Sequence, residues 1–194
     1  MKKILIILLF FNLSYFNVYS IEPDVFIQST VNRASETLSK NISKQEKINE
    51  LKFIAKEAVD IRGIGSYTLG SNRKNLNDNQ KKKYFDLFEN YFLKSFSSRL
   101  AEYTDPKIQV QSKKILNKNY TIVNSVLAST SNRLEIKIDW RVYTKNPDNP
   151  LIRDLIIEGL SLAVAQRAEF ASILNSNDGD INALFNTLED FAKD

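Results

Sequence analysis

Apolar positions recur at helical spacing in the first half of the chain and change to alternation in the second. Pro23-Asp24 opens a segment in which Val25, Phe26, Val31, Ala34 and Leu38 line one face, predicting a first helix that runs to about Lys40. Ser43-Lys-Gln-Glu46 has the form of a capping box, and Ile48, Leu51, Ala55, Ala58 and Val59 follow it at helical spacing, predicting a second. The segment from Ile61 to Gly70 reads as a short helix broken at both ends by glycine. Asn77 or Asp78 then caps the longest helix, whose face carries Phe85, Phe88, Phe92, Phe96 and Leu100, widened by Tyr84, Leu87, Tyr91 and Leu93.

After Pro106 the period becomes two. In Leu134 to Val142 the residues Leu134, Ile136, Ile138, Trp140 and Val142 face one side, and Glu135, Lys137, Asp139 and Arg141 the other, which predicts a strand with one buried face and one wet face. Segments 108–115, 120–129 and 151–158 read as three further strands joined by turns at 117–119, 129–132 and 146–150. Short connections between consecutive strands predict an antiparallel meander. The end is helical again, from Ser161 to Leu174 and from Gly179-Asp180 through Ile181, Leu184, Phe185, Leu188 and Phe191. The expectation is an α+β domain in which a four-stranded twisted antiparallel sheet packs against N- and C-terminal helices.

The first twenty residues form a separate unit. Lys2 and Lys3 precede the unbroken apolar run Ile4 to Phe11, and Val18-Tyr19-Ser20 offers a small residue at a cut, the pattern of a cleaved secretory signal peptide. Asn12, Ser14 and Asn17 interrupt the stretch short of the roughly 20 apolar residues a membrane anchor needs. The expected organisation is therefore residues 1–20 as signal peptide and 21–194 as a single domain, which suits a chain of 194 residues.

Composition narrows the chemistry. The chain has no histidine and no cysteine, which removes Ser/His/Asp and Cys/His nucleophilic sites, structural zinc of the usual kind, iron–sulfur ligation and lipid attachment to an exported cysteine. A cut after Ser20 takes two of the 27 basic residues and no acid, leaving 25 basic against 23 acidic, a weaker excess than nucleic-acid binding asks for. Gly65 to Gly70 has the spacing of a phosphate loop but is followed by Ser71-Asn72 instead of a lysine. Asp154 and Glu158 share a strand face yet stand about 13 Å apart, too far for a paired-carboxylate mechanism. An apolar sheet face opposite an unusually aromatic helix supports either a filled core or a pocket for an apolar ligand.

Tyr67-Thr-Leu-Gly70, Gln80 to Phe88 and Ser98-Arg-Leu-Ala-Glu-Tyr103 resemble the MlaC family, also called the toluene-tolerance auxiliary family, of periplasmic phospholipid-binding proteins. Ile138-Asp-Trp-Arg-Val142, Asp154 to Leu162 and Gln166-Arg-Ala-Glu-Phe170 resemble its sheet and following helix in the same order. Where that family usually continues after Leu-Gly with an Arg and aromatic residues, this chain has Ser71-Asn72-Arg73.

The resemblance implies a carrier of glycerophospholipid between the outer membrane and an inner-membrane ABC transport complex, contributing to outer-membrane lipid asymmetry. It implies no catalytic residue, no metal and no cofactor, with bound phospholipid as cargo. Partners would be an MlaD-type subunit at the inner membrane and an MlaA-type lipoprotein complex at the outer, with no nucleic acid, and the carrier itself a monomer. The acyl chains would lie between sheet and helices, in a lining drawn from Tyr67, Leu69, Phe85, Phe88, Phe92, Phe96, Ile136, Ile138, Trp140, Val142, Ile156 and Phe170. Arg167 is expected to form a structural ion pair with Asp154 or Glu158. The residues themselves leave two other readings open: an exported structural or chaperone-like interaction domain without lipid, and a carboxylate-using α+β enzyme.

Overall fold

The computed structural model describes residues 20–131 and 133–193. Apart from Ser20, the expected signal peptide lies outside the described residues. Four helices come first: α1 (Pro23–Ser39), α2 (Lys44–Ala58), α3 (Ile61–Leu69), which runs on into a 3-10 turn over Gly70–Lys74, and α4 (Asp78–Leu100). The strands β1 (Ile108–Asn117), β2 (Tyr120–Leu127), β3 (Ile136–Tyr143), β4 (Leu151–Ile157) and β5 (Leu160–Ser161) follow, then α5 (Leu162–Asn175) and α6 (Ile181–Lys193).

Local chemistry sets the helix starts. Ser43 and Glu46 form a complete capping box on α2, and Asn77 and Gln80 form another on α4. Asp60 caps α3 by accepting from the Gly63 N–H at 2.8 Å. Gly65 sits where α3 crosses α4 so closely that a Cβ there would come within 2.8 Å of the Phe88 ring.

The sheet is a fully antiparallel meander in the order β1-β2-β3-β4-β5. The fifth strand, absent from the expected four, is a two-residue return of the chain. Glu158 and Gly159 both take positive φ (49° and 83°), the geometry of a two-residue hairpin turn, so Leu160 pairs back onto Ile157. Two residues are too few to show alternation, which is why the pattern did not reveal them.

Directly opposed residues of antiparallel strands share a face. Val123, Trp140 and Leu155 form one such row, and Ser125, Ile138 and Ile157 the next, both on the inner face. Asn124, Asp139 and Ile156 form a row on the other face. α1 runs antiparallel to β1, held by Gln28 to Ile108 O, by Ser35 to Pro106 O, and by Lys113, which bridges Glu22 and Asp24. That contact holds the Asp24 carboxyl below its ordinary pKa.

The aromatic helix α4 packs chiefly against α2, α3 and α6. Tyr84 and Phe88 are sealed at its centre, where the Tyr84 hydroxyl meets Thr68 Oγ1 at 2.8 Å and burial pushes the phenol upward. At the far edge of the sheet Val59 bridges Ile152, and Arg153, the extra residue of a bulge in β4, donates to Asp60 Oδ2 at 2.6 Å and lies 3.8 Å from the Tyr143 ring centroid. This corner ties the helical layer to the sheet.

The buried Asp154 takes a different partner from the one the sequence led us to expect. Its carboxylate accepts from Ser161 Oγ at 2.7 Å and from the Ala163 N–H at 3.0 Å, closing the β4–β5 return onto the start of α5. Asp154→Ala leaves that buried N–H without its acceptor and is expected to lower stability by about 2–3 kcal/mol, measured by urea denaturation. A midpoint equal to that of the unaltered protein would contradict this role.

Candidate functional site

Between the inner sheet face and the helices lies a cavity of about 130 Å³. Its floor is Leu127, Ile138, Trp140, Ile152, Leu155 and Ile157 of β2, β3 and β4, with Ile108 of β1 at one side. Its roof is α1 and α2, which contribute Val31, Ala34, Leu38, Leu51, Ile54, Ala55 and Ala58, and one end is closed by Phe96 and Leu100 of α4 with Tyr103 and Pro106. Among the described residues no charged side chain lines it.

The roof mixes the branched chains of Val31, Leu38, Leu51 and Ile54 with three alanines, and it does not close completely onto the floor. At Ala34, Ala55 and Ala58 the roof offers only methyl groups, which fill less of the space above the floor than the branched chains beside them. The polar side chains in the lining are engaged with the backbone: Thr30 Oγ1 donates to Phe26 O at 2.8 Å and Ser35 Oγ to Pro106 O at 2.7 Å. Trp140 donates its indole N–H to Ser125 Oγ at 2.8 Å, and Ser125 in turn donates to Ile138 O at 3.1 Å, so the indole shows the cavity only its hydrocarbon surface. A cavity lined this way holds no water in good hydrogen bonding and favours an apolar occupant.

Tyr103 is the only exposed residue in the lining and marks the open end. Leu160, paired beside the lining residue Ile157, and Leu134, ahead of β3, are exposed as well.

The structure brings together three of the expected lining residues, Phe96, Ile138 and Trp140, at this cavity. The other nine are elsewhere. Leu69, Phe88, Val142 and Phe170 are sealed core, at 2% exposure or less. Phe85 and Phe92 pack around that core, because the stripe of α4 faces its neighbouring helices over most of its length. Tyr67 is exposed on α3, and Ile136 pairs with Leu127 at the strand end beyond the cavity. Ile156 lies on the opposite face of the sheet, across from Asp139. β4 is apolar at both parities, so its phase became visible only through pairing.

Arg167 joins neither Asp154 nor Glu158. Its guanidinium lies 5.1 Å from the Tyr67 ring centroid and close against Gly70, where a Cβ would stand 2.9 Å from its Nη2. Glu158 accepts instead from the Lys137 N–H.

The lining residues that sequence reasoning did not name are Leu127, Ile152, Leu155 and Ile157 of the sheet, Leu100, Tyr103, Pro106 and Ile108, and all of those on α1 and α2. On α1 and α2 the signal was present as alanines in otherwise apolar stripes, but a small residue on a buried face reads equally as tight packing. A second depression, an open groove of about 500 Å³ between α1 and α2, is bounded by Arg33, Glu36, Lys40 and Glu50. Two of these charges are paired with each other, Lys40 to Glu50 at 2.7 Å, and Phe53 and Ile54 supply the apolar part of its wall. Among the described residues no group of three or more acidic side chains is placed to hold a metal ion, and no helix is long and apolar enough to cross a membrane.

Residues 28–190 match the family model described as MlaC protein. The chain is 26% identical over 161 residues, 79% of its length and 75% of the relative's, to the intermembrane phospholipid transport system binding protein MlaC of Haemophilus influenzae. A solved phospholipid-binding protein from Ralstonia solanacearum, in complex with a phospholipid, superimposes with a TM-score of 0.75 over 89% of this chain and 98% of its own. The identity there is 16%, so that likeness is one of fold.

Sealed core and cavity lining are expected to respond differently to substitution. Phe88→Ala opens new space in a filled region and should cost about 3–5 kcal/mol. Ala58→Leu grows into space already empty and should change stability by less than about 1 kcal/mol, both read by chemical denaturation. Equal losses would mean that the region under Ala58 is filled.

Proposed function

The chain belongs to the MlaC family, and we propose that it is a phospholipid carrier that holds acyl chain in the cavity between its sheet and its first two helices. The observation that carries this reading is the predominantly apolar cavity, lined among the described residues by no charged side chain and opening beside the exposed Tyr103. The name of the Haemophilus influenzae relative and the phospholipid bound in the Ralstonia solanacearum structure support the same cargo.

A lipid crossing water exposes its chains at about 0.8 kcal/mol per methylene, so a chain of roughly fourteen methylenes costs about 11 kcal/mol. A carrier lowers that barrier by offering apolar surface in transit. It also has a reason to stay loaded: an empty volume of about 130 Å³ costs the folded protein on the order of 3 kcal/mol, which an acyl chain recovers. Transfer of this kind makes and breaks no covalent bond, so it requires no acid, base, metal or redox group, and the chain's lack of histidine and cysteine takes nothing from it.

In the full reading the first twenty residues are removed on export and the mature domain works as a periplasmic monomer. It exchanges glycerophospholipid between an outer-membrane MlaA-type complex and the MlaD-type subunit of an inner-membrane ABC transporter, and so contributes to outer-membrane lipid asymmetry.

Trp140 is the only tryptophan in the sequence and its ring lines the cavity, so binding has an internal reporter. Phosphatidylglycerol brominated along its chains is expected to quench Trp140 fluorescence saturably, and Ala58→Leu to weaken that binding several-fold while the fold is kept. Unquenched emission in the presence of excess brominated lipid would defeat the proposal and favour an interaction domain with a filled core.

A further inference from the structure

Arg133 stands beside Tyr103, the exposed lining residue, with a guanidinium the protein only partly uses. The turn between β2 and β3 closes through a bridge between Thr130 and Arg133, and Arg133 Nη2 donates to Ala128 O at 2.9 Å. Ala128 follows the lining residue Leu127, and its own N–H donates to Lys107 O at 2.9 Å, next to the lining residue Pro106. The guanidinium carbon lies 5.6 Å from the ring centroid of Tyr103, the exposed lining residue. Two contacts, the Ala128 carbonyl and the Tyr103 ring, thus hold this cation beside the mouth.

Its Nε is buried and has no hydrogen-bond partner. An arginine carries five N–H donors and no acceptor, and leaving one buried and unanswered is unfavourable. Neighbouring acids do not supply the answer. Glu102 is taken by Lys44, and Asp105 by Ser39 and Lys107.

We propose that Arg133 binds the phosphodiester of the carried lipid, as a charge-assisted hydrogen-bond donor at the point where the chains enter the cavity. The inference rests on the carrier reading and adds the side chain that reads the polar end of the cargo. A phosphodiester anion is common to all glycerophospholipids, and a guanidinium fork matches its paired oxygens. Arg133 therefore distinguishes phospholipid from uncharged diacylglycerol, and it does so whatever group lies beyond the phosphate.

The test compares the mature protein with R133Q and R133K, using chain-brominated phosphatidylglycerol and chain-brominated diacylglycerol delivered from cyclodextrin, with Trp140 quenching as readout. R133Q is expected to weaken phosphatidylglycerol binding on the order of tenfold, R133K less, and neither to change diacylglycerol binding. The 31P resonance of bound phosphatidylglycerol is expected to move in R133Q. Inorganic phosphate alone is expected to bind without saturation in the millimolar range.

Equal weakening for both lipids would make Arg133 a structural brace of the mouth and overturn the inference. Unchanged binding of both, or saturable binding of inorganic phosphate with the two lipids held alike, would overturn it also, and each of these leaves the carrier reading standing. An unaltered protein that binds neither lipid would instead remove the carrier reading and this inference with it.

Discussion

The inner face of the sheet carries more apolar surface than the helices above it fill, and the rest of the molecule is arranged around that shortfall. Ile138, Trp140, Leu155 and Ile157 lie under a roof in which three of the lining residues, Ala34, Ala55 and Ala58, are alanines. Closing the gap would require α2 to move onto the sheet. Against that stand its packing on α4 and the corner where Val59 bridges Ile152 and Asp60 meets Arg153. α2 is thus held at both sides, and interiors packed to crystal-like density do not deform freely to fill a void. What remains is a space whose lining suits hydrocarbon better than water.

The aromatic wealth of α4 serves this arrangement indirectly. Tyr84, Phe88, Phe170 and their neighbours form a ring-packed block in which Phe88 lies 6.1 Å edge-on from Phe170 and 5.7 Å from Tyr84. That block joins α3, α4 and α5 into one support behind the cavity roof. Only the last turns of α4, through Phe96 and Leu100, reach the cavity itself. The helix that looked most like a binding surface is mainly a scaffold.

How much could be read from the chain follows from the range of the forces involved. The capping boxes at Ser43 and Asn77 act within four residues, so the starts of α2 and α4 were visible. The alternation from Ile136 to Val142 needs only one wet and one dry side, and β3 shows both. The site is another matter. Whether Phe88 faces a cavity or another helix depends on where α3 and α5 dock, and whether Ile156 or Ile157 points inward depends on register with β3. Arg167 found an aromatic ring instead of a carboxylate because the Ser161 hydroxyl and the Ala163 N–H had already satisfied Asp154. Such choices are made between elements distant in sequence, and composition does not encode them.

The central claim is that the cavity holds phospholipid, and its most direct test is native mass spectrometry with lipid extraction on the mature protein purified from a bacterial periplasm without detergent. The account predicts co-purifying glycerophospholipid bound to the folded monomer in near-stoichiometric amount. A lipid-free protein that also takes up no phospholipid from vesicles would contradict it.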